Sequence, residues 1–149
     1  MRKSTAFWDT SALVPLFIEE GASRDARSRL IRYQPVVWWG SIVEVYGAIC
    51  RLHREHQITD SQKQGALARA RLLSQAWREI LPADEVRELA IQLLDGYLLK
   101  ASDGLQLAAS LIWCKNKPAS RDFICGDRRL SEAARSSGFS VIELSGANS

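Results

Sequence analysis

Four carboxylates stand where this chain could do metal chemistry: Asp9, Glu44, Asp103 and Asp127. Asp9 follows the short run Thr5 to Trp8, and Asp127 follows Phe123-Ile124-Cys125. Glu44 comes just after Val36-Val37-Trp38-Trp39 and the turn Gly40-Ser41, while Asp103 opens an apolar helix. Each acid alone has a structural use. Ser41-Ile42-Val43-Glu44 and Asp103-Gly104-Leu105-Gln106 fit capping boxes, and Asp9 and Asp127 fit plain N-caps. Jointly they raise a conflict, because helix N-termini favour ionised carboxylates whereas carboxylates a few ångströms apart repel one another. A divalent cation resolves it, and an oxygen-only set suits Mg²⁺ or Mn²⁺ rather than zinc. Such an ion positions a water or hydroxide against a phosphodiester and stabilises the departing oxygen.

The elements that must position these acids follow from the hydrophobic pattern. Short apolar runs alternate with longer helical patterns, the signature of an α/β domain with a largely parallel sheet. Strands are expected at Thr5–Trp8, Val36–Trp39, Ile80–Leu81, Phe123–Cys125 and Ser140–Leu144. Helices are expected from Ser11 to about Glu20, Arg24 to Arg32, Ser41 onward, Asp60 to about Trp77, Asp84 onward, Gly104 to Cys114 and Arg128 to Ser136. In a parallel sheet with right-handed crossovers every strand-to-helix turn lies at the carboxyl edge. A helix leading into a parallel strand starts at that edge too, so topology alone brings all four acids to one rim.

With 149 residues, 20 Lys plus Arg against 17 Asp plus Glu, and 46% hydrophobic residues, the composition is that of one globular domain over 1–149. A net charge of +3 is too mild to announce a nucleic-acid binder, so any basic surface must be local. Cys50, Cys114 and Cys125 form no C-x-x-C pair, which argues against a disulfide framework or a zinc site. Arg2 and Lys3 are not followed by an apolar signal region, and no window is long enough for a membrane span. A soluble, cytoplasmic protein is expected.

The ordered stretches FWDTSALV, SIVEV, LKASDGLQLAASL and FICGDRRLSEAARSSGFSVI resemble, in order and spacing, the PIN-domain ribonucleases. The likeness is greatest to the VapC-like toxin branch and runs from Thr5 to Leu144. It implies an α/β/α sandwich around a parallel sheet that cuts RNA with Mg²⁺ or Mn²⁺. Carried over by motif, Asp9, Glu44, Asp103 and Asp127 match the metal-binding acids, and Ser11 matches a small polar residue that orders the site. The resemblance also implies a homodimer silenced by a cognate antitoxin. One departure stands out: the family commonly has Thr or Ser two residues before the last acid, where this chain has Cys125. The bulky Val36-Val37-Trp38-Trp39 run before the second acid is another.

Other signals divide between function and structure. Arg128 and Arg129 follow the fourth acid and are candidates for RNA phosphates, or a solvated first turn. Arg24, Arg27, Arg51 and Arg54 read as a basic rim or a solvated helix face. One of Trp38 and Trp39 is core, and the other is core or a stacking platform for a base. Leu73 and Trp77, one helical turn apart, are either core or part of a partner groove beside the rim. His53 and His56 do not form H-E-x-x-H, and no Gly-rich phosphate loop is present. No histidine partners a Ser or Cys nucleophile. An aspartate phosphatase would need an acid where Ser11 stands, and a receiver domain would need paired N-terminal acids. The remaining alternatives are a PIN-like RNA- or protein-binding module that does not cut, or a solitary RNA-processing nuclease.

Overall fold

The computed structural model describes residues 3–146, so Arg2 lies outside them. Five strands form one sheet: β1 (Ser4–Trp8), β2 (Tyr33–Trp38), β3 (Arg78–Ile80), β4 (Asp122–Cys125) and β5 (Ser140–Glu143). Their order is β3-β2-β1-β4-β5, and every pairing is parallel. The α-helices among the described residues are α1 (Thr10–Leu13), α2 (Ser23–Arg32), α3 (Ser41–Arg54), α4 (Asp60–Ser74), α5 (Asp84–Gly96), α6 (Ala101–Trp113) and α7 (Arg128–Ser137).

Strand side chains alternate between two cores. Ala6, Trp8, Val37 and Ile124 face Ala12, Val45, Ile49, Ala66 and Ala70 of α1, α3 and α4. Phe7, Val36, Trp38 and Phe123 face Val86, Ala90, Leu107 and Leu130 of α5, α6 and α7. The result is the α/β domain with a parallel sheet that the alternating pattern predicts, built as the three-layer α/β/α sandwich that the resemblance implies. The chain winds outward from β1 to β3, then crosses back to place β4 on the other side of β1. Strand order therefore reverses between β1 and β4, and that switch point opens a crevice at the carboxyl ends.

Several boundaries differ from expectation. The helix expected from Ser11 to Glu20 stops at Leu13 and continues as a 3₁₀ turn, Val14–Leu16, containing Pro15. Proline has no N–H to extend an α-helix. The helix expected to reach Trp77 ends at Ser74. Trp77 is buried, its indole N–H donates to Glu79 at 3.0 Å, and Leu73 packs against the same core. Both are core residues rather than the floor of a partner groove. β2 ends at Trp38, which is buried, and leaves Trp39 half-exposed with its ring 6.4 Å from that of Trp38. No helix among the described residues is long and apolar enough to cross a membrane.

Candidate metal centre at the carboxyl edge

β1 ends at Trp8, so Asp9 is the first residue past the sheet and caps α1. Asp9 is only 3% exposed. It accepts the Ser11 backbone N–H at 3.1 Å, and the Ser11 hydroxyl lies 2.9 Å from both carboxylate oxygens. The same hydroxyl oxygen accepts the Gly126 N–H at 2.8 Å, which ties the turn after β1 to the turn after β4. That approach needs glycine, because a Cβ on Gly126 would lie 3.0 Å from the Ser11 carbonyl oxygen. Ser11 thus holds the first acid and the last acid's turn together.

Asp127 caps α7 by accepting the Leu130 N–H at 2.9 Å. Its backbone is held by Cys125, whose thiol accepts the Asp127 N–H at 3.3 Å and donates to the Asp127 carbonyl at 3.2 Å. The thiol thus bonds both the N–H and the carbonyl of Asp127. Burial, reinforced by the charge of Asp9, pushes its pKa far up, so it stays protonated as a donor.

Glu44 and Asp103 are not capping-box partners. The N-cap of α3 is Gly40, with no side-chain cap, and Ser41 is already inside the helix. The N-cap of α6 is Lys100, so Asp103 sits in the first turn and Gln106 in the interior. A box requires the first residue at the N-cap itself, and both helices begin earlier than their patterns imply. Gln106 has a different task. Fully buried, its amide nitrogen lies 2.8 Å from the Thr10 hydroxyl, 3.0 Å from Ser41 Oγ and 3.2 Å from Glu44 Oε2. Thr10 also donates to Glu44 Oε1 at 3.2 Å. One amide thereby joins the turns carrying Asp9 and Glu44 to the helix carrying Asp103. Sequence reading missed this role of Gln106 and Thr10. The available signal was a lone amide in a helix apolar on nearly every side, since a buried amide must find partners.

The electrostatics set these groups apart from ordinary surface acids. Burial raises Asp9 to about 7, against the hydrogen bonds from Ser11, and the charge of Asp103 adds to the rise. Glu44 is raised by burial and by Asp103, with Gln106 and Thr10 opposing. Asp103 is raised by burial and then by Asp127, with Lys100 opposing. Asp103 therefore sits within repulsive range of the other three acids. Among the described residues, no three His, Cys, Asp or Glu side chains converge closely enough to ligate one ion directly. The donor chemistry still suits Mg²⁺, which keeps several waters and commonly binds protein through one or two carboxylates.

Basic side chains flank the acids. A cavity of about 450 Å³ is lined by Asp103, Asp127, Lys100, Arg128, Arg129 and Leu98. Arg128 is exposed and lies 3.8 Å from Glu132. On the other side, Arg51 lines a cavity of about 330 Å³ with Ser11 and Gly126. Arg27 pairs with Glu19 at 2.8 Å, Arg24 and Arg54 are exposed, and His53 points toward Asp60 at 3.9 Å.

A parallel α/β/α sandwich with one buried and three half-buried acids at its switch point, the other three within repulsive range of Asp103, is the class that fold and site define. In fold it is similar to a chain of a toxin–antitoxin complex from Klebsiella pneumoniae, with a TM-score of 0.59 and 21% identity over 83% of this chain and 87% of that one. It is also similar to PAE2754 from Pyrobaculum aerophilum, with a TM-score of 0.59 and 17% identity over 94% of this chain and 89% of that one. No family model and no curated protein matches the chain. At these identities the likeness shows the fold alone.

Proposed function

We propose that this chain is a metal-dependent endoribonuclease of the PIN-domain, VapC-like kind, acting as the toxin of a toxin–antitoxin pair. The observation that carries the reading is Asp9, a carboxyl buried at the sheet's switch point and raised to about 7, with Asp103 repelling it. A site with no cation to hold has little reason to keep four acids in repulsive reach. Asp9, Glu44, Asp103 and Asp127 would hold Mg²⁺ or Mn²⁺, directly or through water. When bound, the cation supplies a water poised for attack on a phosphodiester and charge compensation for the departing oxygen. Ser11 fixes the Asp9 carboxylate, Gln106 and Thr10 orient Glu44, and Cys125 sets the backbone of Asp127. Arg128 and Arg129 face the open groove, where backbone phosphates would lie.

The toxin role is supported by the motif resemblance together with the fold shared with a chain of a toxin–antitoxin complex. A cognate antitoxin and a homodimer are the proposed protein partners, and the cytoplasm is the proposed site of action. The test is cleavage of a structured RNA by the wild type in Mn²⁺, in Mg²⁺ and in EDTA. Metal-dependent cutting is expected, and co-expression of an antitoxin encoded beside the gene should suppress it. Metal-independent cutting, or RNA binding without cutting, would replace the nuclease with another chemistry or with a binding module.

A further inference from the structure

The topology that gathers acids at one edge of the sheet gathers cations at the other. Lys3, Arg32 and Arg121 stand immediately before β1, β2 and β4, and these strands pair in parallel, so all three lie at the amino edge. Ser4 pairs with Tyr33, which sets the backbone of Lys3 beside that of Arg32 on neighbouring strands, about 4.8 Å apart. Lys115 and Lys117 join them from the turn between α6 and β4. All five are exposed, and none enters an ion pair formed by the described residues. Asp122, the acid next to Arg121, is half-buried. The Arg121 guanidinium lies over the Trp113 ring, 5.3 Å from its centroid, which holds it at this edge.

The turn that carries two of these cations is not the one that folds most easily. α6 ends with the Lys115 N–H on the Ile112 carbonyl at 3.1 Å and the Asn116 N–H on the Leu111 carbonyl at 2.8 Å. α7 ends with the same pair of bonds, Gly138 to Arg135 and Phe139 to Ala134, both at 3.1 Å. This ending needs a left-handed residue, a conformation that glycine adopts without a Cβ clash. α7 has Gly138 there at φ 114°, whereas α6 has Lys115 at φ 55°. Asn116 and Ser120 in the same turn are left-handed too, at φ 59° and 64°. Lys115 therefore presents its charge at a cost in backbone strain. A cation also complements the carbonyl end of a helix, a purely structural use that experiment can separate from binding.

An acid rim repels the polyanion it would cut, so an RNA held firmly needs cations away from that rim. α6 spans about 15 Å from Asp103 to Trp113, at a rise of about 1.5 Å per residue, and delivers Lys115 and Lys117 beyond its far end. Cations without acid partners suit backbone phosphates, and arginine suits them best.

We propose that the amino edge of the sheet is a second RNA-docking surface, where Lys3, Arg32, Lys115, Lys117 and Arg121 hold the phosphate backbone of a structured RNA without reading its sequence. The choice of polyanion rests on the ribonuclease reading above, and the inference adds a contact surface at the edge opposite the acids.

The test measures binding of the full chain to a fluorescein-labelled 40-nucleotide stem–loop RNA, by anisotropy in EDTA over a range of salt concentrations. Lys115→Gly should lower the magnitude of the salt slope by about 0.7–0.9, the value for one lost phosphate contact. The same variant should melt at a higher temperature, because glycine relieves the left-handed strain. The triple variant Arg32→Ala, Lys115→Gly, Lys117→Ala should lower the slope about three times as much. In Mn²⁺ that variant should show a raised KM and an unchanged kcat on the stem–loop, and wild-type cutting of a dinucleotide too short to reach both edges. Unchanged slopes in both variants overturn the surface, and a lower melting temperature of Lys115→Gly beside them assigns that lysine to its helix end alone. A fall in kcat at unchanged KM places the effect at the acid rim and also overturns it. Wild-type binding to phosphatidylserine vesicles, lost in variants that still bind RNA normally, gives the edge to a lipid surface instead. Slopes that fall as expected, with no cutting by the wild type in Mn²⁺, remove the ribonuclease reading and leave the docking surface standing.

Discussion

Asp9 has two duties that a substitution can separate. As a cap it accepts the Ser11 N–H, and as a proposed ligand it must carry charge. Asn retains a capping acceptor of the same size but has no charge to hold a cation. Asp9→Asn and Asp103→Asn are therefore each expected to lose RNA cleavage altogether while keeping the native circular dichroism. Near-wild-type cutting by both would reduce the acids to structural groups. The pH dependence of stability gives a second readout. A carboxyl raised from 3.8 to about 7 on folding stabilises the fold in its protonated form, fully so below its unfolded pKa. That contribution disappears as pH rises through about 7. Without metal, the wild type should melt at falling temperatures from about pH 4 to about pH 7, by an amount equivalent to a few kcal/mol. In Asp9→Asn this decline should flatten, and at neutral pH the variant should be the more stable of the two. An unchanged pH profile in the variant would show that Asp9 is not the group responsible.

Among the elements, α6 is the one that organises the rim. It is buried on nearly every side, and its single interior amide reaches across the sheet edge to Thr10, Ser41 and Glu44. Removing that amide strands the buried Ser41 hydroxyl, an unpaired polar group costing about 1–3 kcal/mol. Gln106→Leu should lower the melting temperature by roughly 2–12 °C, given about 2–4 °C per kcal/mol for a chain of this size. The same variant should bind Mn²⁺ more weakly, because Glu44 loses one of its two side-chain donors. Isothermal titration on the folded variant tests this, and unchanged Mn²⁺ affinity would confine Gln106 to a packing role. The end of α4 shows the same dependence on context. Trp77→Glu would place a charge in the core beneath β2 and β3, so unfolding is the expected result rather than a clean loss of association.

At the scale of the whole molecule, two apolar layers clamp a parallel sheet whose carboxyl edge concentrates negative charge. Folding forces that concentration, because the strand order brings the turns after β1 and β4 together whatever the charges do. Any cation bound only by the native rim must stabilise the fold by mass action. Saturation at about a hundred times the dissociation constant is worth about 2.7 kcal/mol, or roughly 5–10 °C for a chain of this size. Thermal melts in Mn²⁺ should show an upward shift of that order, and Asp103→Asn should abolish most of it. An equal shift in wild type and variant would place the ion elsewhere.

What could be read from the chain itself is whatever depends on local pattern plus a general rule of topology. The alternation of short apolar runs with helical periods specifies an α/β domain with a largely parallel sheet, because strands covered on both faces read as short continuous apolar runs. The handedness of crossovers then puts Asp9, Glu44, Asp103 and Asp127 on one edge without any knowledge of contacts. Boundaries escaped this reading where tertiary burial overrode periodicity. Trp77 carries on the helical rhythm of α4, yet it is drawn into the core after the helix has ended. The apparent capping boxes failed because α3 and α6 begin earlier than their patterns imply, which puts Ser41 and Asp103 inside the helices instead of at the N-cap. Only the folded molecule decides that Ser11 joins two turns 115 residues apart through Gly126, that the Cys125 thiol holds the backbone of Asp127, and that Gln106 spans three elements. Those interactions depend on which buried polar atoms meet across the sheet edge, and a linear pattern carries no record of such meetings.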